Sequence, residues 1–134
     1  MSGAEGLSGS AIAAAGMRVQ QGRLRVMAEN LANAQSTAST PGGDPYRRKI
    51  AVFAPVGAEA EPLGRVVRDT TPFRVIFSPG HPAADALGNL KLPNVNPTTE
   101  AAGLRAAMGA YESNLKVIAT LHDLEKRTVD LMTV

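Results

Sequence analysis

Cysteine and tryptophan are absent from this 134-residue sequence, and aromatic residues make up only 4% of it. Without cysteine, the chain can form neither a disulfide framework nor a thiolate metal site, and its redox compartment is left open. Aromatic side chains dominate the energetics of most protein cores, whereas much of the 44% hydrophobic fraction here is alanine. The chain is long enough for one ordinary domain, but its composition favours a divided core, or one shared with other chains.

The sequence also lacks an excess of one charge and a long hydrophobic run. Its 14 lysines and arginines against 12 aspartates and glutamates give a formal charge of +2, which is too balanced to indicate a nucleic-acid partner. The apolar run at residues 11–15 is too short and too rich in alanine for a signal-peptide core or a membrane span. We therefore expect a protein that is either cytoplasmic or exported without a cleaved signal, and that is not integral to a membrane.

The dominant pattern that is present is a long helical repeat from Thr98 to Met132. Apolar residues recur there at alternating spacings of four and three residues, which is typical of one helix face. The members of this first stripe assigned to packing are Leu104, Met108, Tyr111, Leu115 and Ile118. A second stripe, which includes Leu121 and Leu124, lies about 100° around the helix, while Glu100 near the start complements the helix dipole. Such a helix has two apolar faces, and a chain of this length offers few internal partners for both.

A first helix with the same two-sided pattern is predicted from Ser8 or Ser10, either of which can act as the N-cap, to about Ala34. Its packing positions are Ile12, Met17, Val19, Leu24, Met27 and Leu31. The last helix has start signals of its own, since Asn96 is suited to the cap and Pro97 to the first turn. We expect the two helices to pair and to leave a face of each for other copies or other chains.

Asn30 and Asn33 lie three residues apart near the end of the first helix, on neighbouring positions of its surface. In one interpretation they cap the C-terminus of that helix. In the other they form hydrogen bonds between helices and fix their register, as a single buried asparagine does in a coiled coil. The sequence leaves these two interpretations about even.

A flexible link and a small, irregular β module are predicted between the helices. Strand candidates lie at residues 46–53, 65–69 and 73–77, with a loop at residues 55–64 and turns rich in proline and glycine elsewhere. The predicted fold class is mainly α with a small β insertion, in which the long terminal helices pair as an antiparallel coiled-coil-like hairpin. The chain thus divides into an N-terminal helix at 1–36, a linker and β module at 37–96, and a C-terminal helix at 97–134.

The most basic run consists of Arg47, Arg48 and Lys49, directly after Tyr46. On a strand, alternation sends Arg47 and Lys49 to one face and Arg48 to the other, which dilutes the positive patch. We interpret the run as a solvated or ion-paired strand in preference to a surface for nucleic acid.

No set of residues suited to catalysis, metal binding or cofactor binding emerges from the sequence. His122 lies on the apolar stripe of the last helix and is interpreted as a packed or interface histidine, and His81 as a turn residue between Gly80 and Pro82. Neither has a second histidine at ligand spacing, a carboxylate cluster or a cysteine nucleophile beside it. We therefore expect neither an enzyme nor a small-molecule substrate.

Five motifs in the correct order resemble those of the axial proteins of the bacterial flagellum. They lie at residues 10–34, 45–49, 78–86, 91–96 and 110–114, and together they span most of the chain. The closest resemblance is to the rod protein C family of the basal body, a component of the proximal rod. The positions that carry the distinctive motifs are Pro45, Tyr46, Arg47, Arg48, Lys49, Pro79, Gly80, Pro82, Pro93, Asn94 and Val95.

The resemblance implies a structural subunit that is exported by the flagellar type III apparatus without a cleaved signal. It further implies that the paired terminal helices form the inner tube of a helical assembly, with the β module outside. The implied partners are copies of the same chain, other proximal-rod proteins, the adaptor at the membrane-embedded ring and the distal-rod proteins. No nucleic acid is among them.

A second hypothesis rests on the amphipathic helices and the basic run alone. It is a soluble helical binding module, such as an export chaperone or a nucleic-acid accessory protein. A chaperone would remain in the cytoplasm, whereas a rod subunit would be secreted and recovered in basal bodies.

Overall fold

The computed structural model of the chain describes residues 8–53 and 64–133. The beginning of the predicted N-terminal unit, most of the loop predicted at residues 55–64, and residue 134 lie outside the described residues. The described elements, in chain order, are α1 (Gly9–Ala32), β1 (Lys49–Val52), β2 (Arg65–Arg68), β3 (Arg74–Phe77), β4 (Asn89–Leu92) and α2 (Pro97–Met132). Two long terminal helices with a small antiparallel β region between them confirm the predicted mainly α class.

Helix α1 begins where the sequence provides a cap. The Ser8 hydroxyl oxygen accepts a hydrogen bond from the Ala11 N–H at 3.1 Å, which satisfies one of the free donors of the first turn. The helix ends two residues earlier than predicted, because the Asn33 backbone leaves helical geometry after its N–H has made the last helical bond, to the Glu29 carbonyl at 3.1 Å. At 1.5 Å per residue, α1 is about 36 Å long.

Helix α2 confirms the predicted start signals. The Asn96 side chain accepts hydrogen bonds from the Thr98 N–H at 3.0 Å and the Thr99 N–H at 3.3 Å, and Pro97 occupies the first turn. With 36 residues, α2 is about 54 Å long. It is thus about 18 Å longer than the described α1.

The two helices lie side by side and run in opposite directions. Four pairs of facing residues establish the register: Gly9 with Leu121, Gly16 with Asn114, Met27 with Gly103, and Asn30 with Glu100. From each pair to the next, the residue number increases along α1 by as much as it decreases along α2, as expected for antiparallel helices. The part of α2 after Leu121 therefore extends past the point where the described part of α1 begins.

Small residues line this helix pair. The buried apolar residues of the described chain are Ala13, Val26, Ala34, Ala83, Ala84, Leu90, Val95 and Ala107. Those within the helices are Ala13, Val26 and Ala107, and glycines on both helices face side chains of the other. Burial scales with the apolar area removed from water, so such small residues give each helix little stabilisation from the pairing alone.

The β region consists of two separate antiparallel pairs among the described residues. Strand β1 pairs with β2, and β3 pairs with β4. Strand β4 begins at Asn89 and was not among the predicted strands, because the sequence indicated a turn that ends at this residue. Of the four strands, only β1 contacts a helix, and that helix is α1.

The first strand is shorter than the predicted 46–53, for a reason that lies in its hydrogen bonds. The Tyr46 N–H donates to the Ser36 carbonyl at 3.1 Å, and the Arg48 N–H donates to the Asn94 side chain at 2.7 Å. These donors are used by the linker and by the segment before α2. The regular ladder therefore starts only at Lys49.

Candidate assembly surfaces and the polar junction

The residues that the sequence assigned to helix packing fall into two groups in the structure. Half-buried positions along the helix pair are Met17, Val19, Leu24, Met27, Leu31, Leu104, Tyr111, Ile118 and Leu121. Exposed positions are Ile12, Met108, Leu115 and Leu124. The first group is partly covered by the rest of the chain, and the second group faces away from it.

Six of the eight large apolar side chains that are exposed on the described helices lie in the second half of α2. Leu115 is 48% exposed and Leu124 is 51% exposed, and the proportion rises to 80% at Leu131 and 81% at Met132. Large contiguous apolar surfaces are uncommon on soluble monomers and mark sites of protein contact. This half of α2, residues 115–132, is therefore the candidate assembly surface.

His122 lies on the same part of α2. It is exposed, and its Nδ1 is 3.9 Å from a carboxylate oxygen of Glu125, one turn further along the helix. Among the described residues there is no cluster of three or more histidine, cysteine, aspartate or glutamate side chains that could hold a metal ion.

A second feature lies at the other end of the helix pair, where Asn30 is fully buried. Its side-chain oxygen accepts from the Lys49 N–H at 2.9 Å and from the Tyr46 hydroxyl at 2.8 Å. Its Nδ2 donates to the Lys49 carbonyl at 2.8 Å and to Glu100 Oε2 at 3.4 Å. Asn30 thus forms the bonds of a strand neighbour with β1 and also reaches across to α2. Asn33, in contrast, donates to the Glu29 carbonyl at 2.9 Å and closes the end of α1.

Glu100 is the acidic centre of this region and is only 2% exposed. Its second carboxylate oxygen accepts from Arg48 Nε, and Arg48 NH1 lies 3.1 Å from Asp69 Oδ2. A buried carboxylate is unfavourable unless it is paired and hydrogen-bonded. Here one guanidinium joins two carboxylates in the directional geometry that arginine provides. We call Asn30, Arg48, Asp69 and Glu100 the polar junction.

The neighbours of the junction use the rest of the basic run. Arg47 donates to the Asp69 carbonyl at 2.8 Å and its guanidinium lies 4.1 Å from the centre of the Phe73 ring. Lys49 Nζ lies 2.6 Å from Glu29 Oε1. Arg48 and Lys49 are therefore ion-paired within the chain, whereas Arg47 binds a backbone carbonyl and an aromatic ring.

Asn94 and its neighbours connect the junction to the start of α2. The Asn94 Nδ2 donates to the carbonyls of Asp69 at 3.1 Å and Thr71 at 3.0 Å, while its oxygen accepts from the Arg48 N–H. Pro93 and Val95 on either side are buried, as is Pro45. Pro79, Gly80 and Pro82, the remaining motif positions, lie exposed in the turn closed by the His81 N–H and the Ser78 carbonyl.

The surroundings shift the pKa values of Tyr46 and Asp69. Burial, with Glu29 and Glu100 nearby, raises the pKa of Tyr46 from 10.0 to about 12. Hydrogen bonds from the Thr71 hydroxyl and N–H, together with Arg48, hold the pKa of Asp69 below its ordinary value of 3.8.

Glu100 and Asp69 do not stand out in the sequence as junction residues. Glu100 was assigned only to the helix dipole, and Asp69 to the end of a strand. Their partners are tens of residues away, so no local pattern joins them. A usable signal was the spacing of Glu100, Gly103 and Ala107 on one helix face, which places a carboxylate in line with small packing residues.

Comparison with known proteins gives consistent matches along the chain. The family described as flagellar basal body rod FlgEFG protein C-terminal matches residues 86–131. The flagellar basal-body rod protein FlgC of Agrobacterium fabrum is 44% identical over 131 residues, which cover 92% of each chain. FlgC of Salmonella typhimurium is 36% identical over 93% of this chain and 92% of its own, and FlgC of Aquifex aeolicus 34% over 89% and 91%.

These names are those of a rod component and not of an enzyme. In the described part of the chain, neither helix is long and apolar enough to cross a membrane. The similarity to these relatives extends over 89% to 93% of this chain. The chain therefore belongs to the family of the flagellar basal-body rod protein FlgC and is a structural subunit of that rod.

Proposed function

We propose that the chain polymerises through α1 and α2 in the proximal part of the rod. There it forms part of the drive shaft that transmits torque and of the wall of the export channel. The observation that carries this proposal is the exposed apolar surface of α2 at residues 115–132, which the chain itself leaves uncovered in its described part.

The mechanics follow from helices with two packing faces. Helix α1 covers one face of α2 from Glu100 to Leu121, and the exposed apolar side chains of residues 115–132 remain for neighbours. When neighbouring helices interlock their side chains in a coiled-coil-like array, each subunit has contacts on both sides. A helical assembly of this kind resists twisting as a unit.

The proposed neighbours are copies of this chain, other proximal-rod proteins, the adaptor to the membrane-embedded ring and the distal-rod proteins. The subunit reaches the periplasmic space through the flagellar export apparatus, without removal of a signal peptide. In this arrangement, the units at residues 1–36 and 97–134 form the inner tube and residues 37–96 lie outside it.

Replacement of Leu115 by aspartate tests this function. The variant places a charge on the exposed apolar stripe, so we expect loss of incorporation into the rod and loss of motility. Ser113→Asp is the matched control, because it adds the same charge about 160° away on the same helix. Incorporation is measured by immunoblotting of isolated hook–basal bodies. Normal incorporation and swimming of Leu115→Asp would refute the proposal, as would retention of the wild-type chain in the cytoplasm.

A further inference from the structure

The β1–β2 sheet has few structural connections to the helix pair. Of its two strands, only β1 contacts a helix, and β2 is held through its pairing with β1. The link between α1 and β1 centres on Asn30, which exchanges two hydrogen bonds with the backbone of Lys49. Lys49 Nζ also pairs with Glu29, and Phe53, directly after β1, lies beside Gly22 and Arg23. All these contacts are made with α1 alone, so they hold the sheet to one helix but still permit rotation about it.

A second attachment comes from the charged members of the polar junction. Glu100 belongs to α2, Arg48 directly precedes β1, and Asp69 directly follows β2. Arg48 bonds to both carboxylates, and the Asp69 N–H donates to the Arg48 carbonyl at 2.9 Å. This chain of contacts runs from α2 across the base of both strands.

We propose that the Glu100–Arg48–Asp69 bridge is a lock that fixes the orientation of the β1–β2 sheet on the helix pair, with Asn30 as the pivot. Its use in carrying load between the inner helices and the outer sheet rests on the proposed rod function. The lock itself is a property of the single chain.

The chemistry of the bridge suits orientation better than stability. Apolar contacts are non-directional and permit sliding, whereas a guanidinium between two carboxylates is satisfied in only a narrow range of positions. Buried ion pairs are often no more stabilising than apolar residues of the same volume, yet removal of one partner alone is strongly destabilising. A lock therefore predicts different outcomes for single and double substitutions.

The test compares Arg48→Met with the double variant Arg48→Met and Glu100→Leu. Arg48→Met alone leaves the Glu100 carboxylate buried without its cation, so we expect a marked loss of thermal stability. The double variant removes both charges, while Asp69 keeps its bonds from Thr71. We expect it to recover thermal stability without recovering the fixed orientation. Lys49→Met, which breaks the more exposed pair with Glu29, is the control. It should change neither the thermal stability nor the orientation of the sheet.

Orientation is measured by spin labels, which the absence of cysteine makes straightforward. Labels at Val66→Cys on β2 and Arg105→Cys on α2 report the sheet against the helix pair, and both positions are exposed. Labels at Gln21→Cys and Arg105→Cys report the helix pair itself. We expect one narrow distance distribution for each pair in the otherwise unaltered chain. In the double variant, only the first should lose its single narrow peak.

Retention of a narrow Val66–Arg105 distribution by the folded double variant would overturn the proposal, since the remaining hydrogen bonds between Asn94 and the backbone at positions 48 and 69 would then suffice. If the double variant does not fold, Glu100→Gln keeps the side-chain shape and removes the charge. Broadening of the same distribution in that variant supports the lock, and an unchanged distribution refutes it. These measurements use the purified chain, so they are independent of whether it enters the rod.

Discussion

Gly103 of α2 lies against the sulfur of Met27 of α1, so closely that a β-carbon at Gly103 would come within 2.7 Å of that atom. The helices approach each other at this point because one of them has no side chain. On the same helix, Gly109 faces open space. Two glycines six residues apart therefore have different reasons to be present.

Gly109→Ala should stabilise the chain by up to about 1 kcal/mol, because alanine removes the entropic penalty of glycine in a helix and meets no neighbour. Gly103→Ala should gain less, or destabilise, since the Met27 side chain must move. Urea unfolding followed by circular dichroism measures both variants. An equal gain in both would show that the helices are further apart at Met27 than described.

Asn30→Ala should destabilise the chain by about 2 kcal/mol or more, because it leaves the Lys49 backbone groups and the Tyr46 hydroxyl without partners in a buried site. Asn33→Ala is the matched control and removes only local bonds at the helix end. Its loss should be about 1 kcal/mol or less. Equal losses in the free energy of unfolding would contradict the role assigned to Asn30.

Acid should lower the free energy of unfolding partly through protonation of Asp69. The pKa of Asp69 in the folded chain lies below its ordinary value of 3.8. The stabilisation that the ionised carboxylate provides is therefore complete above pH 3.8 and is lost as the pH falls through the pKa of the folded chain. Asp69→Asn should therefore show a smaller fall in unfolding free energy than the wild-type chain over this range. Urea midpoints at a series of acidic pH values provide the comparison. Parallel curves for the two proteins would exclude this contribution.

Alkali should lower the free energy of unfolding through ionisation of Tyr46. Its pKa is raised to about 12, so the stabilisation is complete below pH 10.0 and is lost as the pH rises through the folded pKa. Tyr46→Phe loses the hydrogen bond to Asn30 and should be less stable at neutral pH, but its stability should change less between these two values. Tyrosinate absorbance and the midpoint of urea unfolding are measured together. If Tyr46→Phe loses as much unfolding free energy as the wild-type chain over this pH range, the alkaline loss does not come from Tyr46.

The helices were predictable because their signals are local. Ser8, Asn96 and Pro97 specify where each helix begins, and the spacing of apolar residues specifies that they are long. The strands were predictable only in part. The Arg48 N–H bonds to the Asn94 side chain, 46 residues away, and therefore takes no part in strand pairing. No pattern within a window of ordinary length contains that information.

The candidate sites divide in the same way. The exposed positions Leu115 and Leu124 lie on apolar stripes that periodicity detects. The polar junction depends on contacts between Asn30 and Glu100 and between Arg48 and Asp69, which only the folded chain brings together. Periodicity also drew attention to large residues, whereas the helices meet through small ones such as Gly103 and Ala107.

The central claim is that the second half of α2 is an interface between subunits in the rod. A single cysteine at Leu124→Cys tests it, because this position is 51% exposed in the chain alone and the sequence contains no other thiol. Maleimide labelling is compared in the purified chain, in isolated hook–basal bodies, and in the same particles after dissociation. We predict rapid labelling of the free and the dissociated chain and protection in intact particles. Equal reactivity in intact and dissociated particles would contradict the account.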